Sequence, residues 1–364
     1  MDFFETNISE EAKQEVTKIL DHGWISAGRE VELFEEELHK FGLVRPVTVN
    51  SGTTSLFLAL KAAGVGEGHE VIIPPQTFVA TGFAVLYTGA KPVFADIDYE
   101  NGNISVESIY RKISDRTKAI IPVHWAGYPC DMDDINNLAR KFRLKVIEDA
   151  AQAFGALHRG RILGGATSDF TCFSFQAIKT LTTGDGGCIC CKDKNDYNSI
   201  KLMRWFGIER KAAPSILGER EFDLTNLGYK AHMNNIAAAL GIGNLKRIKN
   251  VLVHHRNIAA IYQSELNKID GLKLMKYKPN HLSSYWFFPI LVKKRVDFIQ
   301  RLRKEGVPTS VVHLGIDKYT IFGGKDESLV NQRLFDENQI NLPINTKVSE
   351  DDAYKICDFI KSGW

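Results

Sequence analysis

His69–Asp98 reads HEVIIPPQTFVATGFAVLYTGAKPVFADID, and its internal order decides the fold. EVIIP is a short, nearly unbroken apolar run, the signature of a strand covered on both faces. PPQT is a turn, because proline fixes its own backbone and cannot continue a strand ladder. FVATGFAVLYTG has the length and composition of a helix, and KPVF returns to strand. A strand, a helix and a second strand in that order make a parallel unit. The order recurs on both sides. Upstream, PVTVNSGTTSLFLALKAAG (Pro46–Gly64) reads as strand, small-residue turn and helix. Downstream, TKAIIPVHWAG is a strand, and DINNLARKFRLKVIEDAAQAFGA is a helix leading into a strand at Leu144–Glu148. SDFTCFSFQ and GGCICCK are two further strands, which flank a turn carrying Lys179. The expected class is α/β with a mostly parallel mixed sheet.

Near the start, Ala12, Val16, Ile19 and Leu20 recur at helical spacing with Gly23 as a stop, and Val31, Phe34, Leu38 and Phe41 mark a second helix. The pattern changes after about residue 245. NIAAALGIGNLKRIKNVLVHHRNIAAIYQSELNKI reads as one long helical stretch, followed by YWFFPILVK, VDFIQRLRKEG, VPTSVVHLG and a closing helix. In that helix Ser349 and Asp352 stand at near-capping-box spacing. The expected division is a large domain, 1–245, and a smaller α+β domain, 246–364.

With 364 residues, 44% hydrophobic and 25% charged, the chain is long enough for a large core. A net charge of +2 with both signs interspersed gives no nucleic-acid footprint. No apolar run approaches the roughly 18 residues of a membrane helix, and MDFFETNISEEAKQ lacks the order of a signal peptide. The six cysteines form no disulfide framework, so reduced thiols in the cytoplasm are expected. CICC offers no pair with zinc-like spacing, and no metal site is expected.

Three stretches carry chemistry. In VNSGTTSLFLAL, Ser51, Gly52, Thr53 and Thr54 sit where a strand hands over to a helix. The first amides of a helix lack internal partners and attract anions, so the end is either a simple N-cap or a phosphate seat. It lacks the lysine-bearing P-loop pattern, and GVGEG (Gly64–Gly68) lacks the dinucleotide fingerprint. In KVIEDAAQAFGA, Glu148 and Asp149 end an apolar strand, where ligands bind in open α/β sheets, and Gln152 follows. A carboxylate there needs a cation: either an arginine or helix terminus, or a ligand. In FSFQAIKTLTTGDGG (Phe173–Gly187), Lys179 lies five residues after Ser174 and just before a hydroxyl- and glycine-rich turn. A solvated lysine has a pKa near ~10.4 and is a poor nucleophile, whereas a desolvated one forms Schiff bases. A phosphate seat, a strand-end carboxylate and a turn lysine are together the minimum set for pyridoxal phosphate. Phe78 either covers one face of that ring or belongs to the core.

These residues resemble the DegT–StrS family of pyridoxal-phosphate-dependent sugar aminotransferases, of the aspartate-aminotransferase fold (fold type I). The likeness runs through GWISAGREVELFEEEL, VNSGTTSLFLAL, PPQTFVATGFAV, IPVHWAGYPCDMD, IEDAAQAFGA, FSFQAIKTLTTGDGG, GYKAHMNNIAAALG and LPINTKVSEDD. It implies that Lys179 is the Schiff-base lysine, that Asp149 pairs with the pyridine nitrogen and that Gln152 lies near the ring hydroxyl. It implies phosphate contacts from Gly52, Thr53 and Ser174, and a stacking role for Phe78. It places His124, in the PVH segment, near the sugar, with a satisfied buried histidine as the alternative reading. Gln176 stands where members carry histidine, tyrosine or asparagine, which implies an altered sugar contact. GYKAHM stands where many carry GYNYRM, so Lys230 or His232 replaces an asparagine that crosses the dimer to the phosphate. The activity implied is transfer of an amino group from L-glutamate to a nucleotide-linked 4-keto-6-deoxy sugar, for amino-sugar and surface-polysaccharide or O-antigen biosynthesis, by a homodimer with shared sites. TTGDGG resembles the turns of 4-aminotransferases more than those of 3-aminotransferases. A sugar 3-aminotransferase, a sugar dehydratase and a non-catalytic regulator of the same fold are the alternatives. Retention of Lys179 argues against the last two. The charged stretch Arg204–Asp223 is expected at the substrate mouth or dimer seam, or as a solvated loop.

Overall fold

The strand–helix–strand order of His69–Asp98 is realised in a computed structural model that describes residues 2–209 and 223–364. In chain order come β1 (Pro46–Val49), β2 (Glu70–Ile73), β3 (Lys91–Phe94), β4 (Thr117–Ile120) and β5 (Lys145–Asp149). A short hairpin, β6 (Leu157–His158) and β7 (Arg161–Ile162), precedes β8 (Phe170–Ser174) and β9 (Gly187–Cys191). Seven of these strands form one sheet in the order β1-β9-β8-β5-β4-β2-β3. The pairs β2·β3, β2·β4, β4·β5 and β5·β8 are parallel, and β9 alone runs against its neighbours β1 and β8. The class is α/β with a mixed, mostly parallel sheet, as the sequence implied.

Side-chain alternation explains the unbroken apolar runs. Val71, Ile73 and Ile147 point into the core beneath the helix Gly52–Ala62, with its Leu56, Leu58 and Ala59. Their neighbours Ile72 and Val146 point to the opposite face, against Ile135 and Ala139 of the helix Met132–Phe142. Each such burial contributes about 1.5–3 kcal/mol, against about 1 kcal/mol for an N-cap such as Ser9 or Ser105, so the apolar pattern outweighs the caps in fixing the layers.

Later in the chain β10 (Leu272–Leu274), β12 (Phe288–Val292) and β13 (Gln339–Leu342) form a three-stranded antiparallel sheet, and β11 (His281–Leu282) pairs with β6. The expected long helix is two, Asn235–Leu245 and Ile248–Glu265. The second spans two cores: Ile248, Val251 and Leu252 pack with the large sheet, and Ile258, Ala259 and Tyr262 with the small one. The closing helix Glu350–Lys361 has a complete capping box from Ser349 and Asp352. Near the N-terminus, Phe3 and Phe4 pack beside Trp286 and Phe287. All six cysteines are unpaired and buried. Among the described residues no helix is long and apolar enough to cross a membrane.

Candidate active site

Lys179 occupies the loop that joins the antiparallel strands β8 and β9. Ser174 and Gly187 close the hairpin in register, and Lys179 N donates to Gln176 O at 2.9 Å. The hydroxyls of TTGDGG turn out to be scaffold. Thr182 Oγ1 accepts from Gly184 N at 3.0 Å, and Thr183 Oγ1 donates to Asp185 O at 2.9 Å. Gly184 has φ 80°, which glycine adopts freely. A side chain at Gly186 would collide with Thr183 Oγ1. The turn thus holds Lys179 inward, partly buried, with Nζ 3.4 Å from the centroid of the Trp286 ring. Trp286 is itself fixed, donating from Nε1 to Ile178 O at 2.7 Å. Burial pushes the Lys179 amine down to about 7, while the charge of Asp149 acts in the opposite direction.

Glu148 and Asp149 are consecutive on β5 and take different partners. Glu148 Oε1 accepts from Thr167 Oγ1 at 2.5 Å, Ser168 Oγ at 2.6 Å and Thr171 Oγ1 at 3.0 Å. Its Oε2 meets His124 Nε2 at 2.9 Å. Burial acts to raise the pKa of Glu148, but His124 and the hydroxyls outweigh it and hold the carboxyl below its ordinary range. Cys130 N donates to His124 Nδ1 at 3.0 Å, so that nitrogen is the acceptor and Nε2–H donates to Glu148. His124 is wholly buried with both nitrogens engaged, so it has no atom to offer a sugar. Of its two readings, sugar contact or satisfied buried histidine, the second is realised, with Glu148 as the partner.

Asp149 faces Lys179's side. Its Oδ2 accepts from Thr81 Oγ1 at 2.7 Å and its Oδ1 from Ala151 N at 3.1 Å. Burial raises its pKa, and Thr81, the Ala151 amide and the Lys179 charge only partly offset this. A buried carboxylate left in that state lacks a close hydrogen-bonded cation. Gln152 Oε1 accepts from Ala126 N at 2.8 Å, which orients the amide and leaves Nε2 as a donor.

The helix Gly52–Ala62 begins beside Ser174. Ser51 caps it, accepting from Thr54 N at 3.1 Å. The amides of Gly52 and Thr53 have no partner among the described residues. A Cβ on Gly52 would lie 2.6 Å from Ser174 Cβ, so only glycine lets the helix start approach that strand end. Phe78 is 54% exposed and is not a core residue. These residues fit pyridoxal phosphate: an anion seat of free amides and a hydroxyl, a buried carboxylate short of a cation, and an amine held near neutrality between them. Among the described residues no group of three metal-capable side chains occurs.

The other expected residues are less central. Gln176 is exposed, and its Oε1 accepts from Ile178 N at 3.1 Å. Lys230 is exposed, and its carbonyl accepts from Asn50 Nδ2 at 3.4 Å, just before Ser51. The His232 ring packs against Trp205 at 3.9 Å and lines a cleft with Arg29, Tyr197 and Arg204, to which Lys179 does not contribute. Of the charged stretch Arg204–Asp223, residues 210–222 lie outside the described residues. Arg204 pairs with buried Glu35 and donates to Thr48 O at 2.8 Å. Three neighbours of the site had no local signal: Thr81, Trp286 and His313. The His313 ring lies 5.2 Å from Phe78.

Comparison with known proteins agrees with this geometry. The chain is 33% identical to the GDP-perosamine synthase of Escherichia coli O157:H7, over 98% of this chain and 96% of the relative. It is 32% identical to a UDP-4-amino-4-deoxy-L-arabinose–oxoglutarate aminotransferase of Shewanella sediminis, over 96% and 94% of the two chains. The crystal structure of the sugar aminotransferase CalS13 from Micromonospora echinospora superposes with a TM-score of 0.95 at 33% identity, covering 100% of both chains. Residues 6–361 match a single family description, and with the lysine loop, the strand-end aspartate and the helix-start anion seat in place, the chain belongs to the DegT/DnrJ/EryC1/StrS aminotransferase family.

Proposed function

We propose that this aminotransferase moves an amino group from L-glutamate to C4 of a nucleotide-linked 4-keto-6-deoxy sugar, with pyridoxal 5′-phosphate as cofactor. The observation that supports the reading is the pairing of Asp149, which interacts with the charge of Lys179, with the strand β8 whose end, Ser174, meets Gly52. The two relatives named for nucleotide-linked amino sugars support the acceptor class, and oxoglutarate in one of those names supports glutamate as donor.

Bound pyridoxal 5′-phosphate supplies an aldehyde to carry the amino group and a ring that accepts the electron pair released when a substrate carbon loses its proton. The amides of Gly52 and Thr53 and the Ser174 hydroxyl would hold the phosphate. Asp149 would hold the ring nitrogen in its protonated form, since an opposite charge stabilises a cationic acid. Phe78 would cover one ring face, and Gln152 Nε2 would donate to the ring hydroxyl. Lys179 Nζ would bind the aldehyde carbon and, once released, take the proton from the glutamate α-carbon. The same nitrogen would deliver a proton to the sugar carbon in the second half-reaction. An amine near neutrality suits both duties, because proton transfer is most effective when the pKa lies near the working pH.

We further propose a homodimer in which Lys230 of one subunit meets the phosphate of the other, a cytoplasmic location, and a role in surface-polysaccharide biosynthesis. The division 1–245 and 246–364 is proposed on the helix Ile248–Glu265, which joins the two cores. The test is a panel of nucleotide-linked keto-sugars with glutamate, read by mass and proton NMR. Replacement of the keto oxygen by an amino group at C4 is expected. Amination at C3, loss of a hydroxyl without gain of nitrogen, or no turnover of any member would contradict the proposal.

A further inference from the structure

His313 reaches the site on a strained turn. Its N–H bonds Val311 O at 2.6 Å, two residues back, and the intervening Val312 has φ 56°. A γ-turn with a positive-φ centre is rare, and a β-branched residue is the least suited to occupy it. Strain of this kind persists only where surrounding structure imposes it, and it gathers at functional sites.

Here the imposing structure is a set of buried amides. Gln339 Nε2 donates to Val311 O at 2.8 Å and to His313 O at 3.1 Å. Gln76 Nε2 donates to His313 O at 3.0 Å, and its own Oε1 accepts from Gln332 Nε2 at 2.7 Å. All three glutamines are wholly buried. Two buried amides, Gln339 and Gln76, thus clamp the carbonyls that flank Val312, and Gln332 holds Gln76 in place. The side chain this fixes is half-buried, 5.2 Å from the Phe78 ring and 6.0 Å from that of Trp125, within the field of Lys179.

The ring chemistry narrows its use. Burial, and then the Lys179 charge, push the imidazole down to about 4, so it is neutral at working pH. The Val312 carbonyl favours a proton on the ring nitrogen nearer to it, and a neutral imidazole then carries its lone pair on the other nitrogen. Such an atom cannot bind the carboxylates of glutamate or a phosphate, which are acceptors themselves. It suits an O–H donor.

We propose, resting on the function given above, that His313 is a substrate-contacting residue whose outward ring nitrogen accepts a hydrogen bond from a hydroxyl of the sugar. It therefore serves the sugar half-reaction and not the glutamate half-reaction.

The test uses the holoenzyme in single turnovers followed by cofactor absorbance, first with glutamate and then with the nucleotide keto-sugar. His313→Phe keeps a ring and removes the acceptor. Its kcat/KM in the sugar half-reaction should fall by about 10–100-fold, the effect of one lost buried hydrogen bond, while the glutamate half-reaction changes by less than about 3-fold. His313→Gln, which restores an acceptor oxygen, should recover part of the loss. Gln339→Leu, which frees the turn, should show the same bias toward the sugar step. Calorimetric titration of the keto-sugar into the holoenzyme should show the weakened binding directly. Equal losses in both half-reactions, or an unaltered sugar step in His313→Phe, would overturn the assignment while leaving the aminotransferase reading intact. An unaltered enzyme that aminates no keto-sugar would overturn both.

Discussion

The Lys179 ammonium position lies 3.4 Å from the centroid of the Trp286 indole, with Phe4 stacked on the same indole at 4.9 Å. The amine is therefore bounded by aromatic surface, and it feels the charge of the buried Asp149 carboxylate. Desolvation by these walls is the larger influence and favours the neutral amine, while Asp149 and the indole face favour the cation. Neutral amine is the form that attacks an aldehyde.

This gives a pH signature for the apoprotein. The rate of reconstitution with pyridoxal phosphate should rise with pH and reach half its plateau at about 7, as Lys179 loses its proton. Asp149→Asn removes the charge that favours the protonated form, so the midpoint should move down. Stopped-flow absorbance checks both. A midpoint near the ordinary lysine value of ~10.4 would contradict the buried placement.

A depressed lysine also weakens the fold. The unfolded chain keeps an ordinary amine, so at neutral pH it holds more of the proton than the native state. The penalty is fully present below about 7 and fades as pH rises toward ~10.4. Lys179→Met, similar in shape and uncharged, should stabilise the apoprotein by about 1–3 kcal/mol at pH 7, with the gain shrinking at alkaline pH, while abolishing transamination. Urea unfolding at two pH values measures it.

At the anion seat, Gly52→Ala should weaken cofactor binding by at least about tenfold, because the new methyl drives the helix start away from Ser174. Pairing it with Ser174→Gly relieves the collision but removes the hydroxyl, so stability should recover more than affinity does. Fluorescence titration of the apoproteins separates the two.

His124 should behave as a structural residue. His124→Phe leaves Glu148 without its imidazole partner and should cost about 3–5 kcal/mol. The stabilisation of Glu148 is present above the unfolded carboxyl pKa and is lost as pH falls through the lower native value, so the variant should also show a shallower acid transition. The KM for the sugar in the folded fraction should not change.

Much of this was legible in the sequence, for local reasons. Apolar runs such as Val71–Ile73 report strands because both faces of the sheet are covered. Lys179, Asp149 and Gly52 are marked by the turn, strand end and helix start on which they sit. What failed to show was everything set by distant chain. His124 left both a sugar contact and a satisfied buried histidine open, because nothing nearby reveals that Glu148, on the adjacent strand, consumes it. Trp286 and His313 arrive from the region of the small sheet, each directly after a positive-φ residue, Tyr285 and Val312, and no periodicity signals such a placement. The hydroxyls of Thr182 and Thr183, legible only as part of a turn, bond within that turn.

The most direct measurement is borohydride reduction of the purified holoenzyme, followed by peptide mass mapping. Reduction fixes the cofactor to whichever amine it is bonded to. A pyridoxyl group on the peptide containing Lys179, with the same peptide unmodified in Lys179→Met, is the predicted result. Label on a different lysine, or full loading with no label at all, would contradict it.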